Sequence, residues 1–133
     1  MNRTKGLILI AFLSFIAVNS QNTSEWVAPA ETKLLVNPIE EQDFEFSIEE
    51  AFYVFSKHCV SCHGKLGKGD GKKAIKYNPP PRDLTSTKVQ MQKDGEIFWK
   101  IAHGRNRMLS FRKVLNEEDK WYLVNYIRSL VKE

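Results

Sequence analysis

CVSCH, residues 59–63, contains the only two cysteines of this 133-residue chain, Cys59 and Cys62, with His63 directly after the second. Four chemistries use such a pair. A structural zinc site needs four ligands, usually including a second pair at metal spacing; here only His58, His63 and His103 remain, and there is no second C-x-x-C. A thioredoxin-type dithiol belongs on a strand-to-helix turn in a βαβ setting, and no strand pattern precedes the motif. A disulfide closing so short a loop constrains the unfolded chain little and therefore adds little stability. The fourth is covalent haem attachment, for which C-x-x-C-H is a specific signature, and the sequence favours it.

The haem reading explains each position. Two thioether bonds to one edge of a porphyrin need two thiols on one face of a helical turn, which residues i and i+3 supply. His63 then projects its imidazole onto the iron as the proximal ligand, and its other ring nitrogen is expected to donate to a backbone carbonyl. Candidates for the sixth position are Met91, Met108, His58 and His103. Met91 stands in polar VQMQKDG and reads as a surface or partly buried side chain. His58 adjoins Cys59 and cannot reach the opposite face. His103 ends a helical stretch, where it would cap the last carbonyls. Met108 lies in HGRNRMLSF, a glycine-containing loop long enough to cross the far face. Alone, a methionine is a core gap-filler; alongside CVSCH it is the expected distal ligand. Histidine–methionine ligation raises the reduction potential and leaves no open site for substrate. No general base or nucleophile stands out elsewhere, so the chain reads as a carrier with no catalytic residues. GKLGKGDGK resembles a phosphate-cradling loop only loosely, because it lacks G-x-x-x-x-G-K-[ST] after a strand.

The elements that must position these residues are helical. Ser47 and Glu50 have capping-box spacing, and Ile48, Ala51, Phe52 and Phe55 follow at helical intervals into Cys59. Residues 64–92 contain four glycines and the NPPPRD run and read as loop. A loop of that length in a small domain implies that it wraps something, and a porphyrin is a large apolar plate. A second helix is expected over 94–103, capped by Asp94, buried through Ile97, Phe98 and Ile101, and ended by Gly104. A third begins at Asn116, with Glu117, Glu118 and Asp119 suiting the positive end of its dipole, and buries Leu123, Tyr126, Ile127, Leu130 and Val131. The domain is expected to be all-α.

Arg3 and Lys5 precede an apolar run from Gly6 to Val18, too short for a transmembrane helix but the length of a signal-peptide core. Residues 1–20 therefore read as a signal peptide or, uncleaved, as an anchor. Residues 21–46 read as an extended acidic arm held by Trp26, Leu34 and Leu35, and 47–133 as the haem domain. Residues 21–58 carry eight acidic against two basic side chains, and 59–133 sixteen basic against eight acidic. A basic surface on an exported domain points to an acidic protein partner rather than to nucleic acid.

With these motifs placed, residues 47–131 resemble a class I (monohaem) cytochrome c. The resemblance rests on CVSCH, on the G-x-x-x-M loop of Gly104 to Met108, and on WYLVNYIRSL (121–130), similar to the family's C-terminal helix. Phe55 and Tyr126 fall at the family's paired aromatics, so the first and last helices are expected to cross there. Ala51 stands where the family has glycine, and Leu109 where it often has proline. The resemblance implies a cytochrome c fold of three to five helices around one covalent haem c, attached through Cys59 and Cys62 and ligated by His63 and Met108. It also implies that one of the prolines at 79–81 offers its carbonyl to His63, and that Arg82 or Trp99 donates to a haem propionate. WVAPAETKLLVNP, GKGDGK, PPPRDL and DGEIFWKIAHGR further resemble exported monohaem cytochromes that accompany bacterial respiratory complexes such as alternative complex III and haem–copper oxidases. That implies a periplasmic electron carrier between a quinol-oxidising complex and a terminal acceptor, or a haem subunit of such a complex, reaching the membrane through its partner or an uncleaved anchor. Lys65, Lys68, Lys72 and Lys73 would steer docking. The different class of function is an open-iron haem sensor or peroxidase-like protein, which requires that Met108 does not bind.

Overall fold

A residue without a bulky side chain at the crossing lets two helices approach closely. In the computed structural model, which describes residues 25–131, α1 (Phe44–His58) and α5 (Glu117–Ser129) meet along Ser47, Ala51 and Phe55. All three are buried, and Ala51 and Phe55 share one apolar cluster with Leu123, Val124 and Ile127. Phe55 lies 4.8 Å from Tyr126 between ring centroids, so the two aromatics do mark the crossing. Burying each large side chain here contributes about 2–3 kcal/mol. The residues expected to form the signal peptide or anchor, 1–20, lie outside the described residues.

Two details of α1 differ from expectation, for one reason. The helix begins at Phe44, and Ser47 is an interior residue, wholly buried. Its hydroxyl donates to the Phe44 carbonyl (2.6 Å) and accepts from Asn125 Nδ2 (2.8 Å). Asn125 in turn accepts from Asn37 Nδ2 (2.7 Å). A polar residue on the core face is tolerated because its hydrogen bonds are complete, so Ser47 serves as a tie between α1, α5 and the N-terminal segment. The buried row is accordingly Ser47, Ala51 and Phe55 at intervals of four, and Phe52 turns outward, 52% exposed.

The remaining helices are α2 (Val60–His63), α3 (Thr87–Gln90) and α4 (Asp94–His103). Among the described residues there is no strand, only a bridge between Arg105 and Met108. Helix α4 packs on α5 with Phe98 stacked on Trp121 at 4.2 Å. Its cap position is Lys93, whose N–H donates to Glu96 Oε2 (2.9 Å). Asp94 does not cap. It pairs with Arg128 (2.6 Å), which also donates to the carbonyls of Gln90 (2.6 Å) and Gln92 (2.5 Å). That one guanidinium fastens the end of α3 and the start of α4 to the end of α5.

Helix α5 starts where expected, and Asn116 caps it, accepting from the Asp119 N–H at 2.7 Å. Because α5 lies between α1 and α4, its buried surface is wider than a single stripe. Trp121, Val124 and Asn125 join Leu123 and Ile127, while Val131 is exposed. Along the N-terminal segment a 3-10 turn, Ala30–Leu34, packs on α4. Its anchors are Ala28, Thr32 and Trp26, the last edge-on to Trp99 at 6.5 Å; Leu34, expected to anchor, is 81% exposed. Among the described residues no helix is long and apolar enough to cross a membrane.

Asn125→Ala leaves the Asn37 amide without its acceptor and removes the donor to Ser47, so it is expected to destabilise the protein by about 1–3 kcal/mol. Denaturant unfolding should show a lower midpoint with an unchanged slope.

Candidate haem-binding site

Helix α2 is only four residues long, so it cannot satisfy its own last carbonyls. It follows α1 after a break at Cys59, whose carbonyl accepts from both the Cys62 N–H (3.1 Å) and the His63 N–H (2.8 Å). The loop beyond supplies the missing donors. The N–H groups of Gly69, Gly71 and Lys73 donate to the carbonyls of His63 (2.8 Å), Cys62 (3.1 Å) and Ser61 (2.8 Å). This antiparallel threading needs a bare backbone at its centre. A Cβ on Gly71 would stand 2.5 Å from the carbonyl oxygens of both Val60 and Ser61.

The turn so held presents Cys59 and Cys62 as free, half-buried thiols. Burial pushes the Cys59 thiol up to about 12, with the neighbouring Cys62 adding to the effect. A redox or nucleophilic cysteine needs the opposite shift, so the dithiol reading loses its support. Nor do any three His, Cys, Asp or Glu side chains among the described residues converge as a metal-binding group.

His63 is held by one hydrogen bond, from Nδ1 to the carbonyl of Arg82 at 3.1 Å. With the proton on Nδ1, Nε2 carries the lone pair that a metal requires. Burial pulls the imidazole below its ordinary pKa, against the opposing effect of that hydrogen bond, and so favours the neutral, ligating form. The carbonyl belongs to Arg82 and not to the prolines at 79–81. The Pro81 oxygen lies against Gly69, 2.3 Å from where its Cβ would stand, so the next carbonyl along the chain is the one that reaches the ring.

The other candidates are distributed as follows. Met91 is 79% exposed. His58 packs edge-on against Phe111, 5.7 Å between centroids. His103 is committed at both nitrogens: Nδ1 donates to the Trp99 carbonyl (2.9 Å), capping its helix, and Nε2 meets the Arg112 guanidinium. Its ring stacks on Trp99 at 4.2 Å. Met108 is half-buried in a tight turn, exchanging backbone hydrogen bonds with Arg105 (3.0 and 2.9 Å). Gly104, at φ +63°, lets that turn close: its Cβ would stand 2.4 Å from the Met108 oxygen. Beyond the turn the Phe111 N–H donates to the Ile101 carbonyl (3.3 Å), and the Phe111 ring is buried beside His58. The Met108 loop is thereby tied to the residue that precedes Cys59. Phe111 and the Arg82 carbonyl were not legible as site elements in the sequence. A single aromatic in a loop has no periodicity, and a backbone acceptor has no residue type.

Two thiols on one turn, a neutral imidazole with a free Nε2 and a long loop fastened to that turn fit one group, a covalently bound haem c. An all-α chain built around such a turn is a monohaem c-type cytochrome. The chain belongs to the family described as cytochrome c oxidase, cbb3-type, subunit III, whose profile matches residues 47–127. Among solved structures it is similar to a chain of the Kuenenia stuttgartiensis reducing HAO-like protein complex Kustc0457/Kustc0458, at 27% identity and TM-score 0.61, over 74% of this chain and 50% of that one. It therefore spans half the length of that relative. Its fold is also that of the KustC0563 c-type cytochrome (24% identity, TM-score 0.52, 62% of this chain and 98% of the other). The same holds for cytochrome CL from the marine methylotroph Methylophaga aminisulfidivorans (18%, 0.53, 77% and 68%). No curated protein matches.

Gly71→Ala must push the loop off the carbonyls of α2, and is expected to cost about 2 kcal/mol or more and to lower the yield of covalently attached haem. Haem staining of the denatured protein, normalised to total chain, measures the loss.

Proposed function

We propose that this chain is an exported single-electron carrier whose haem is attached through Cys59 and Cys62 and ligated by His63 and Met108. The observation that carries the reading is the fate of the soft and nitrogen donors. Met91 is exposed and His103 is bonded at both nitrogens, whereas Met108 is half-buried on a loop fastened beside the thiol turn. Haem c supplies a one-electron iron couple. The protein's part is to hold His63 in one tautomer through Arg82, to close the opposite position with a thioether, and to keep water from the site with the wrapped loop. With Met108 as a ligand no position is left for a substrate, so on this reading the open-iron sensor or peroxidase alternative is disfavoured.

Lys65, Lys68, Lys72 and Lys73 are all exposed on the loop that follows the thiol turn, which suits transient docking on an acidic redox partner. Their position on that loop fits electron transfer at a partner of a periplasmic respiratory chain, with residues 1–20 as the export signal. Stable membership of a respiratory complex is a second reading. It is favoured by the family's oxidase subunit and by the Kuenenia neighbour's place in a complex; the acidic N-terminal segment would then be the interface.

The ferric protein is expected to show the weak charge-transfer band of iron bound to methionine sulfur. Met108→Ala should abolish that band and admit carbon monoxide to the ferrous iron; a band that survives the substitution rejects Met108 as the ligand. Electron transfer to the partner should slow as ionic strength rises from 0.01 to about 0.15 M, since the screening length falls from about 30 to 8 Å; stopped-flow rates indifferent to salt would deny the lysines a docking role.

A further inference from the structure

We propose that Arg107 and Tyr77 form a latch that holds the Met108 turn against the thiol turn, which makes both of them positioning residues for the methionine. The inference rests on the reading of Met108 as an iron ligand. The turn's own shape is set locally, by the paired hydrogen bonds between Arg105 and Met108 and by Asn106 at φ +55°, a conformation that asparagine tolerates better than most residues. Local closure leaves open how the turn sits on the rest of the molecule. After Met108 the chain is fastened again at residues 110–112, where Ser110 Oγ (2.7 Å) and the Arg112 N–H (3.0 Å) reach the Ala102 carbonyl. Leu109, between the turn and that anchor, is exposed.

The tip of the turn makes its contact on the other side. The guanidinium of Arg107 lies over the ring of Tyr77, 5.6 Å from its centroid. Tyr77 is close along the chain to the thiol turn. Its N–H donates to the Ala74 carbonyl (2.9 Å), Ala74 is buried, and the Ala74 N–H donates to Gly71 (2.7 Å). Gly71 and Lys73 are bonded in turn to the carbonyls of Cys62 and Ser61. The cation–π contact therefore completes a protein bridge from the methionine's turn to the residues that hold the haem's other face. A guanidinium over an aromatic face needs the ring and not the hydroxyl, and this gives the proposal its test. The latch keeps the conformer with sulfur off the iron a minor one, so that exogenous ligands enter slowly.

The experiment uses the full-length haem-loaded protein and follows carbon monoxide capture by the ferrous form in a stopped-flow instrument, together with the ferric sulfur–iron band. Tyr77→Leu and Arg107→Gln should each raise the capture rate about two- to fivefold, the shift in population expected of an exposed cation–π pair. The double variant should be no faster than either single variant, because both remove one contact. Tyr77→Phe should match the unmodified protein. Arg107 is exposed at a turn tip, so its replacement tests the latch even where Tyr77→Leu impairs folding. Unchanged capture rates in both single variants, with the sulfur–iron band intact, overturn the latch alone. Acceleration by Tyr77→Phe equal to that by Tyr77→Leu overturns it too, by assigning the effect to the hydroxyl. Absence of the band from the unmodified protein removes the methionine reading, and the latch with it.

Discussion

A helix of four residues has more unsatisfied carbonyls than it can bond internally, and in this protein that deficit organises everything around the haem site. Cys59 to His63 must stay helical if both thiols and the imidazole are to face one plate, yet the turn cannot be prolonged into a longer helix once Gly64 ends it at φ +78°. The N–H groups of residues 69, 71 and 73 resolve this by bonding the exposed carbonyls of 63, 62 and 61. One consequence is that the following segment, 64–92, expected as loop throughout but containing a 3-10 turn at Ala74–Lys76 and the short helix α3, is not slack. It is laid down from the thiol turn outward, and the next donors continue the fastening: the Leu84 N–H to Gly67 (2.7 Å), and Gln90 Nε2 to the carbonyls of Leu84 (2.8 Å) and Ile127 (3.1 Å).

The frame on which this loop is stretched has apolar and polar parts with different tasks. The cluster of Ala51, Phe55, Leu123, Val124 and Ile127 provides most of the driving force, but hydrophobic burial is not directional and would tolerate some sliding of α1 on α5. The completed chain of Asn37, Asn125, Ser47 and the Phe44 carbonyl does not, because any slip strands a buried donor or acceptor. Arg128 does the same almost one turn further along α5, where it bonds Gln90, Gln92 and Asp94 in the stretch that joins α3 to α4. Position along the crossing determines where Cys59 falls relative to Phe111, and so how the two sides of the site face each other.

The charges follow the same division. Acidic side chains predominate in the N-terminal segment and α1, and basic ones in the loop that wraps the site and in the turn containing Arg105 and Arg107. Lysines at the loop surface have little to do with stability: Lys88 pairs with Glu25 at 2.8 Å with both side chains 59% exposed, the kind of pair that contributes almost nothing net. On the carrier reading proposed above, their value would lie in the field they set up in front of the site, which screening by salt can remove.

What the sequence determined alone was local. The spacing of Cys59, Cys62 and His63 defines the chemistry because it fits one helical turn, and glycine at 104 and asparagine at 116 mark helix ends because each has a conformational or hydrogen-bonding property that acts within a few residues. Helix α4 and the start of α5 were readable for that reason. Ser47 was misread as a cap because a serine followed by a glutamate three residues on looks the same whether its hydroxyl meets its own helix or a distant asparagine. Phe52 was expected inside because periodicity shows which residues share a face, and not which face meets a neighbour; Leu34 was expected to anchor the arm because an apolar residue type does not say which way an aperiodic segment turns it. The Arg82 carbonyl at His63, the Phe111 anchor and the cation–π pair of Arg107 and Tyr77 were decided only by tertiary structure. Each joins segments far apart in the chain, and a backbone oxygen or a lone exposed arginine leaves no pattern in the sequence to announce its partner.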